Sequence, residues 1–421
     1  MKKQASFFNP YSLLVLGIFV SYFPAYFLHK ARPPSIMLGP VHLYIGDFAF
    51  LLLLVYAFVT FVGGGGDRVH TDRRTKTSGR TVQIIFGLFF MYGVIKWLIQ
   101  GTIDTANIRM ALSFIPAYAF LATFPLIIKR KGDLKVQIYL LIAFVLFIFL
   151  MHIYAFATEG FKVHILGGKF LSMLSVVYFL SLKENDLLRL SPIMSIVVKG
   201  LAVITFLMVG HRSGYIGLLL GLMIYSLFYR KTAVKEISIV VLITVIGAGA
   251  AFLVSSKGVE HVEARASTTF STTNRTYRDR LNDYLWILEE PKEHPWIGKP
   301  LVTNETLDWK EIQVTKGNIT TSVSKDVLTP HDLVLEWLVY YGWIGVFLGS
   351  ALMIAAFRFI KRFLHRHKDD VRSYRIGVAA VCAMAHNVFF ALTNVTAMSV
   401  SSTYFLYFPL AMLMVVDRIG A

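Results

Sequence analysis

The chain is poor in the residues that make a soluble, disulfide-stapled or metal-built protein. It has one cysteine in 421 residues, Cys382, set inside an apolar run, which excludes an internal disulfide framework and a cysteine metal site. Its histidines and carboxylates are scattered, with no ligand spacing that suggests a metal centre. Only 16% of residues are charged, and the acidic ones are scarce, 25 against 42 lysines and arginines. The glycine run Gly63-Gly64-Gly65-Gly66 lacks the Lys-Ser/Thr of a phosphate-cradling loop and reads as a flexible link. No internal repeat is visible at the spacing of solenoid or propeller units, and no inverted symmetry of two halves.

What the chain has is oil. Apolar residues make up 56% of it and its mean hydropathy is +0.60, more than a soluble core can hide. A hydrocarbon layer about 30 Å thick needs roughly 20 apolar residues per helical crossing. Twelve runs of about that length centre on residues 11–28, 42–62, 82–99, 110–127, 136–156, 170–182, 193–209, 214–229, 237–254, 343–357, 376–393 and 403–416. The expected fold is therefore an all-α polytopic membrane protein with about twelve transmembrane helices. The first run follows Met1–Pro10 with no small-residue cleavage site and reads as a retained anchor.

Orientation follows from the basic loops, because short cytoplasmic connections retain Lys and Arg. Lys2 and Lys3 start the series, followed by Arg68–Arg80, Lys129–Lys135, Lys183 with Arg189, Arg230–Lys235 and Arg358–Arg375. This pattern puts both termini in the cytoplasm. It also accounts for most of the +17 formal charge as topology and contact with lipid headgroups, without nucleic acid.

Three regions are expected: 1–254 as membrane helices one to nine, 255–342 as an extracytoplasmic loop with interfacial helices, and 343–421 as helices ten to twelve. The loop is the long polar insert. Within it, Asn274–Glu290 is expected to be helical, because Tyr277, Leu281, Tyr284, Leu285 and Leu288 recur at helical spacing before Pro291. Arg278 and Arg280 flank opposite edges of that stripe, so only one of them, or Arg275, is expected to face a site. A sharp turn is expected at His294-Pro295-Trp296-Ile297-Gly298, and Lys299–Pro330 is too irregular to assign. The run from Asp332 to Gly342 reads as a helix lying at the outer interface, with Trp337, Tyr340, Tyr341 and Trp343 in the aromatic belt and His331 at its first turn. Cations and an imidazole beside a membrane suggest an anionic, lipid-linked substrate.

These residues carry a family resemblance. The series Arg280-Leu-Asn-Asp-Tyr284, His294-Pro295-Trp-Ile-Gly298, and His331-Asp332-Leu333 through Glu336 to Gly342-Trp-Ile-Gly345 resembles the carboxy-terminal signature of the O-antigen ligase and O-antigen polymerase superfamily. Upstream, Gly210-His211-Arg212-Ser213-Gly214 is similar to that family's Ser-Arg-Gly element. Tyr284 stands where tryptophan is commoner and Asp332 where asparagine is.

The resemblance implies a GT-C type glycosyltransferase of bacterial surface-polysaccharide assembly in the inner membrane, its active site on the periplasmic side. It would need no metal or other cofactor and would move a glycan en bloc from undecaprenyl diphosphate to a hydroxyl of a lipid-anchored, glycan or protein acceptor. Arg212 and Arg280 would grip the diphosphate, His331 would orient or deprotonate the acceptor, and Asp332 or Glu336 would steady the imidazole. Arg278 is a second-tier substrate-binding candidate. Guanidinium suits this role because it stays charged and offers paired planar donors. No Asp-x-Asp motif occurs in the chain.

Each of these residues has a structural rival. Arg212 could reach to headgroups, Arg280 could pair with Asp283, and His331 could simply start a helix. Lys96 and Lys199 lie within apolar runs and could line a substrate path, or could reach an interface. His152, His386-Asn387 and Asp47 read as interhelical hydrogen-bonding groups. A transporter or flippase for a lipid-linked glycan stays open beside the transferase, and the signature does not separate ligase from polymerase.

Overall fold

The computed structural model of the chain describes residues 12, 35–38, 41–44, 55, 73–100, 114–159, 167–182, 190–209, 212–254, 294–298, 312–316, 319–323, 333–393 and 400–419. Asp47, the apolar run 11–28 apart from Ser12, the expected helix at Asn274–Glu290 with Arg275, Arg278 and Arg280, and the pair His331-Asp332 lie outside the described residues.

Among the described residues the architecture is a helical bundle. Its helices are α1 (Arg73–Gln100), α2 (Phe114–Ile127), α3 (Lys131–Glu159), α4 (Gly167–Leu180), α5 (Pro192–Val209), α6 (Arg212–Phe228), α7 (Arg230–Val254), α8 (Leu333–Arg366), α9 (Val371–Thr393) and α10 (Val400–Ile419). They follow the apolar runs, since a chain in hydrocarbon must satisfy its backbone polar groups within each segment. Lys131–Tyr154, Leu333–Arg366 and Val371–Leu392 are long and apolar enough to cross a bilayer, and Leu171–Leu180, Pro192–Met208 and Ser213–Phe228 are shorter apolar helices.

Two short antiparallel hairpins depart from the all-helical expectation. The strands β1 (Ser35–Leu38) and β2 (Val41–Tyr44) pair with Ser35 opposite Tyr44, so the apolar run expected from residue 42 begins as strand. The second hairpin lies in the stretch that resisted assignment, where β3 (Ile312–Lys316) pairs with β4 (Ile319–Val323). Its sequence logic is local: β-branched residues flank Gly317-Asn318, a dipeptide suited to a two-residue turn.

Helix α9 forms the centre of the bundle, packed on α4, α6, α8 and α10. Its small buried residues Ala379, Ala380, Cys382 and Ala383 let neighbouring backbones come close. Several polar groups in the interior are paired. Lys199 of α5 meets Glu236 of α7 at 2.7 Å, and the Tyr178 hydroxyl of α4 donates to the other carboxylate oxygen at 3.5 Å. Lys199 thus holds two helices together, and the alternative that it lines a substrate path is set aside. The His152 Nδ1 lies 2.8 Å from the Ile148 carbonyl one turn back, a contact within its own helix.

At one end of the bundle the turn from α8 to α9 is fixed by side chains. Asp370 caps α9, accepting from the Arg372 amide at 3.2 Å, the Ser373 amide at 3.5 Å and the Ser373 hydroxyl at 2.5 Å. Asp417 of α10 pairs there with Arg366 at 2.5 Å and with His367 at 3.1 Å.

Candidate functional site

The site is organised by a break in α8. Gly342 has φ 61° and ψ −162°, so two helices meet there rather than one running through. A single helix would hold Trp337 and Gly349 about 18 Å apart along its axis. Instead the indole packs directly against the Gly349 α-carbon, and Leu333 and Ala356 line one hollow. The segment Leu333–Tyr341 therefore doubles back along the helix that follows it. Sequence reasoning placed this segment flat at the outer interface with its aromatics in the headgroup belt. The structure corrects the exposure of those rings: Trp337, Tyr340 and Tyr341 are buried in the bundle, and Trp343 is exposed. Burial wins because Gly345 and Gly349 leave a smooth face on which the aromatic segment can lie, against Phe89 of α1 on its other side.

The break is stitched by the turn 294–298. The Trp343 amide donates to the Pro295 carbonyl at 2.9 Å and the Ile344 amide to the Trp296 carbonyl at 3.3 Å, while Gly298 closes its own turn onto the His294 carbonyl at 2.9 Å. In an uninterrupted helix Ile344 would donate to Tyr340 and Gly345 to Tyr341. At the break, α1 supplies further donors. Lys96 Nζ donates to the Tyr340 carbonyl, and the Tyr92 hydroxyl donates to Tyr341 at 3.0 Å and to Ile297 at 3.4 Å. Lys96 is 4% exposed and lies 5.6 Å above the Tyr341 ring, so it acts as a clasp on the break and not as a lining of a substrate path. The sequence marked Lys96 as unusual but gave Tyr92 no role. Its four-residue spacing from Lys96, on one face of α1, was the available signal.

Below the break, Leu333 and Trp337 border an apolar hollow closed by Phe86 of α1, Asn387 of α9 and Tyr407 of α10. Leu333 is the second residue after His331, so the chain enters the bundle beside this hollow. Glu336 is 4% exposed and close enough to Tyr340 and Tyr407 to interact electrostatically with both. The next residue back along α9 from Asn387 faces another motif. The His386 ring packs on α6, where a Cβ on Gly217 would lie 2.8 Å from its Cδ2, less than two turns from the helix start at Arg212. Arg212 is thus the first residue of α6 rather than part of a connecting loop, although its side chain lies outside the described residues.

Of two neighbours on α9, His386 therefore packs on the first turns of α6, and Asn387 borders the hollow that Leu333 and Trp337 of α8 also line. The sequence elements around Arg212 and just after His331 come to the same part of the bundle. Among the described residues no group of histidine, cysteine and carboxylate side chains is arranged to hold a metal ion.

Residues 197–350 match the family model for O-antigen ligase. That stretch is similar to the O-antigen ligase family. The match supports membership of the O-antigen ligase and polymerase superfamily, whose type is a membrane glycosyltransferase. It runs from α5 through the turn at 294–298 to the second half of the α8 hairpin, so it takes in both partners of the stitched break. No curated protein matches the chain.

Proposed function

We propose that this O-antigen ligase-type protein transfers a whole glycan from undecaprenyl diphosphate to an acceptor hydroxyl, at the outer face of a bacterial inner membrane, without a metal. The anomeric C–O bond to the diphosphate breaks, and the lipid diphosphate leaves with the electron pair. The acceptor oxygen forms the new bond at that carbon and gives its proton to His331. Arg212 and Arg280 neutralise the charge that grows on the departing diphosphate, with Arg278 as a second-tier contact. Asp332 or Glu336 steadies the imidazole. The acceptor is a lipid-anchored molecule, a glycan or a protein.

In this reading the chain has twelve spans and cytoplasmic termini, with 255–342 on the outer side. The observation that carries the reading is that His386 packs on α6 near its start while the adjacent Asn387 borders the hollow lined by Leu333 and Trp337 of α8, both of these helix starts falling in the region that matches the ligase family. A helix start presents free amides and a positive dipole end, which favour a phosphate beside Arg212.

The test is reconstitution of the purified protein in liposomes with a polyprenyl-diphosphate glycan and candidate acceptors. Formation of glycosylated acceptor with release of lipid diphosphate is the expected result. Movement of the intact lipid-linked glycan between leaflets, with no new glycosidic bond, would establish a flippase instead.

A further inference from the structure

The proposed chemistry uses Arg212, Arg280 and His331, which leaves a buried polar cluster in the bundle without a role. Asn387 is 1% exposed. Its Oδ1 accepts from the Ser175 hydroxyl of α4 at 2.9 Å and lies 3.1 Å from Nδ1 of His386. The His386 ring is fixed on several sides, by Phe206 of α5 edge-on at 5.5 Å, by Phe390 stacked at 6.1 Å, and by the close approach of Gly217. Leu171 of α4, one turn before Ser175, packs against Gly214 in the first turn of α6. On its other side Asn387 borders the hollow with Leu333 and Trp337.

We propose that Asn387, tied to Ser175 and His386, is a positioning residue that sets the separation between the helix start carrying Arg212 and the helix start that follows His331. It touches neither donor nor acceptor. The inference rests on the transferase reading of those two residues.

The physical reason is that a carboxamide holds direction as well as distance. Apolar contacts alone would let α4 slide on α9, whereas the Ser175–Asn387 hydrogen bond fixes that register, and His386 beside it holds α6 through the Gly214 backbone and the close approach of Gly217. Interhelical hydrogen bonds of this kind add little to the stability of membrane bundles, so the variants are expected to insert and fold. A small misplacement of reacting groups costs far more in rate, up to about 100-fold for a shift near 1 Å.

The experiment measures kcat and donor KM for the full-length reconstituted protein with a polyprenyl-diphosphate glycan. Asn387→Ala is expected to lower kcat by about 100-fold with a smaller change in KM. Ser175→Ala is expected to lower kcat by about tenfold, and Ser175→Thr, which keeps the hydroxyl, to restore it. In an Arg212→Lys background, adding Asn387→Ala should cost much less than it does alone, because both changes disturb one alignment. Normal kcat in folded Asn387→Ala, or fully multiplicative effects with Arg212→Lys, would overturn the proposal. Should Asn387→Ala fail to fold, the Ser175 pair decides: equal rates for Ser175→Ala and wild type would overturn it. Normal turnover of Arg212→Ala would instead sink the transferase reading, a result separate from inactive Arg212→Ala beside normal Asn387→Ala.

Discussion

A methyl group placed on Gly298 would lie 2.6 Å from the amide nitrogen of Gly342, and one placed on Gly342 would lie 2.6 Å from that of Gly298. The two residues have φ of 74° and 61°, so each is held in a conformation that other residues rarely adopt, against a backbone that cannot move aside. This contact joins a turn at residues 294–298 to the break in a helix more than forty residues later, and it decides where the segment after His331 enters the bundle.

Substitution at either glycine should therefore be costly. Gly298→Ala and Gly342→Ala should each destabilise the protein by about 3 kcal/mol or more, combining left-handed strain with backbone overlap. Thermal unfolding in detergent measures this directly. A change below about 1 kcal/mol would show that the turn is not held against the break.

Lys96 and Tyr92 answer the two carbonyls at the break, so their loss should be graded. Tyr92→Phe removes hydrogen bonds but leaves the ring, and should cost about 1 kcal/mol. Lys96→Met removes a donor to the buried Tyr340 carbonyl and should cost about 1–3 kcal/mol. The pair should be less than additive in a double-mutant cycle, since both hold the same segment. Strict additivity would mean that the two contacts stabilise different parts of the bundle.

Much of the helical framework was legible in the sequence, and the reason is physical. Hydrocarbon demands long apolar runs, so 193–209 and 214–229 stand out by composition alone, and they fold as Pro192–Val209 and Arg212–Phe228. His386-Asn387 could be read as hydrogen-bonding groups because a carboxamide in oil needs partners, and Ser175 supplies one. The doubling back of Leu333–Tyr341 was not legible. A run of Leu, Val, Trp and Tyr has the same pattern whether it lies at an interface or packs inside. What decides between them is the Gly298–Gly342 contact, which joins residues too far apart in sequence for any local pattern. The candidate residues stood out only as motifs, and nothing in those motifs pointed to His386 packing on α6 or to Asn387 bordering the hollow beside Leu333.

The buried pair Lys199–Glu236 yields an asymmetric prediction. Lys199→Met or Glu236→Gln alone leaves one buried charge unpaired and should destabilise by about 3–5 kcal/mol. Replacing both with apolar residues of similar volume should recover most of that loss. Thermal unfolding of the two single variants and the double variant checks it. A double variant as unstable as the sum of the singles would contradict a simple structural pair.

Asp370 gives the pH prediction. The Ser373 hydroxyl, followed by the Ser373 and Arg372 amides and the nearby His367, holds the Asp370 carboxyl below its ordinary range against a smaller opposing effect of burial. Because the folded value is the lower one, the cap's contribution is fully present above the unfolded value near pH 3.9 and is lost as pH falls through the folded value. Asp370→Asn should flatten the dependence of unfolding on pH in that acid window, and Asp370→Ala should cost about 1 kcal/mol near neutral pH. An unchanged acid profile in Asp370→Asn would show that the cap does not set the acid stability.

The most direct test of the central claim is the turnover of His331→Ala in liposomes that contain the lipid-linked glycan and its acceptor. A base or orienting role for His331 predicts a fall in transfer of about 100-fold or more, with insertion and thermal stability unchanged. A variant that inserted normally and transferred glycan at the wild-type rate would contradict it.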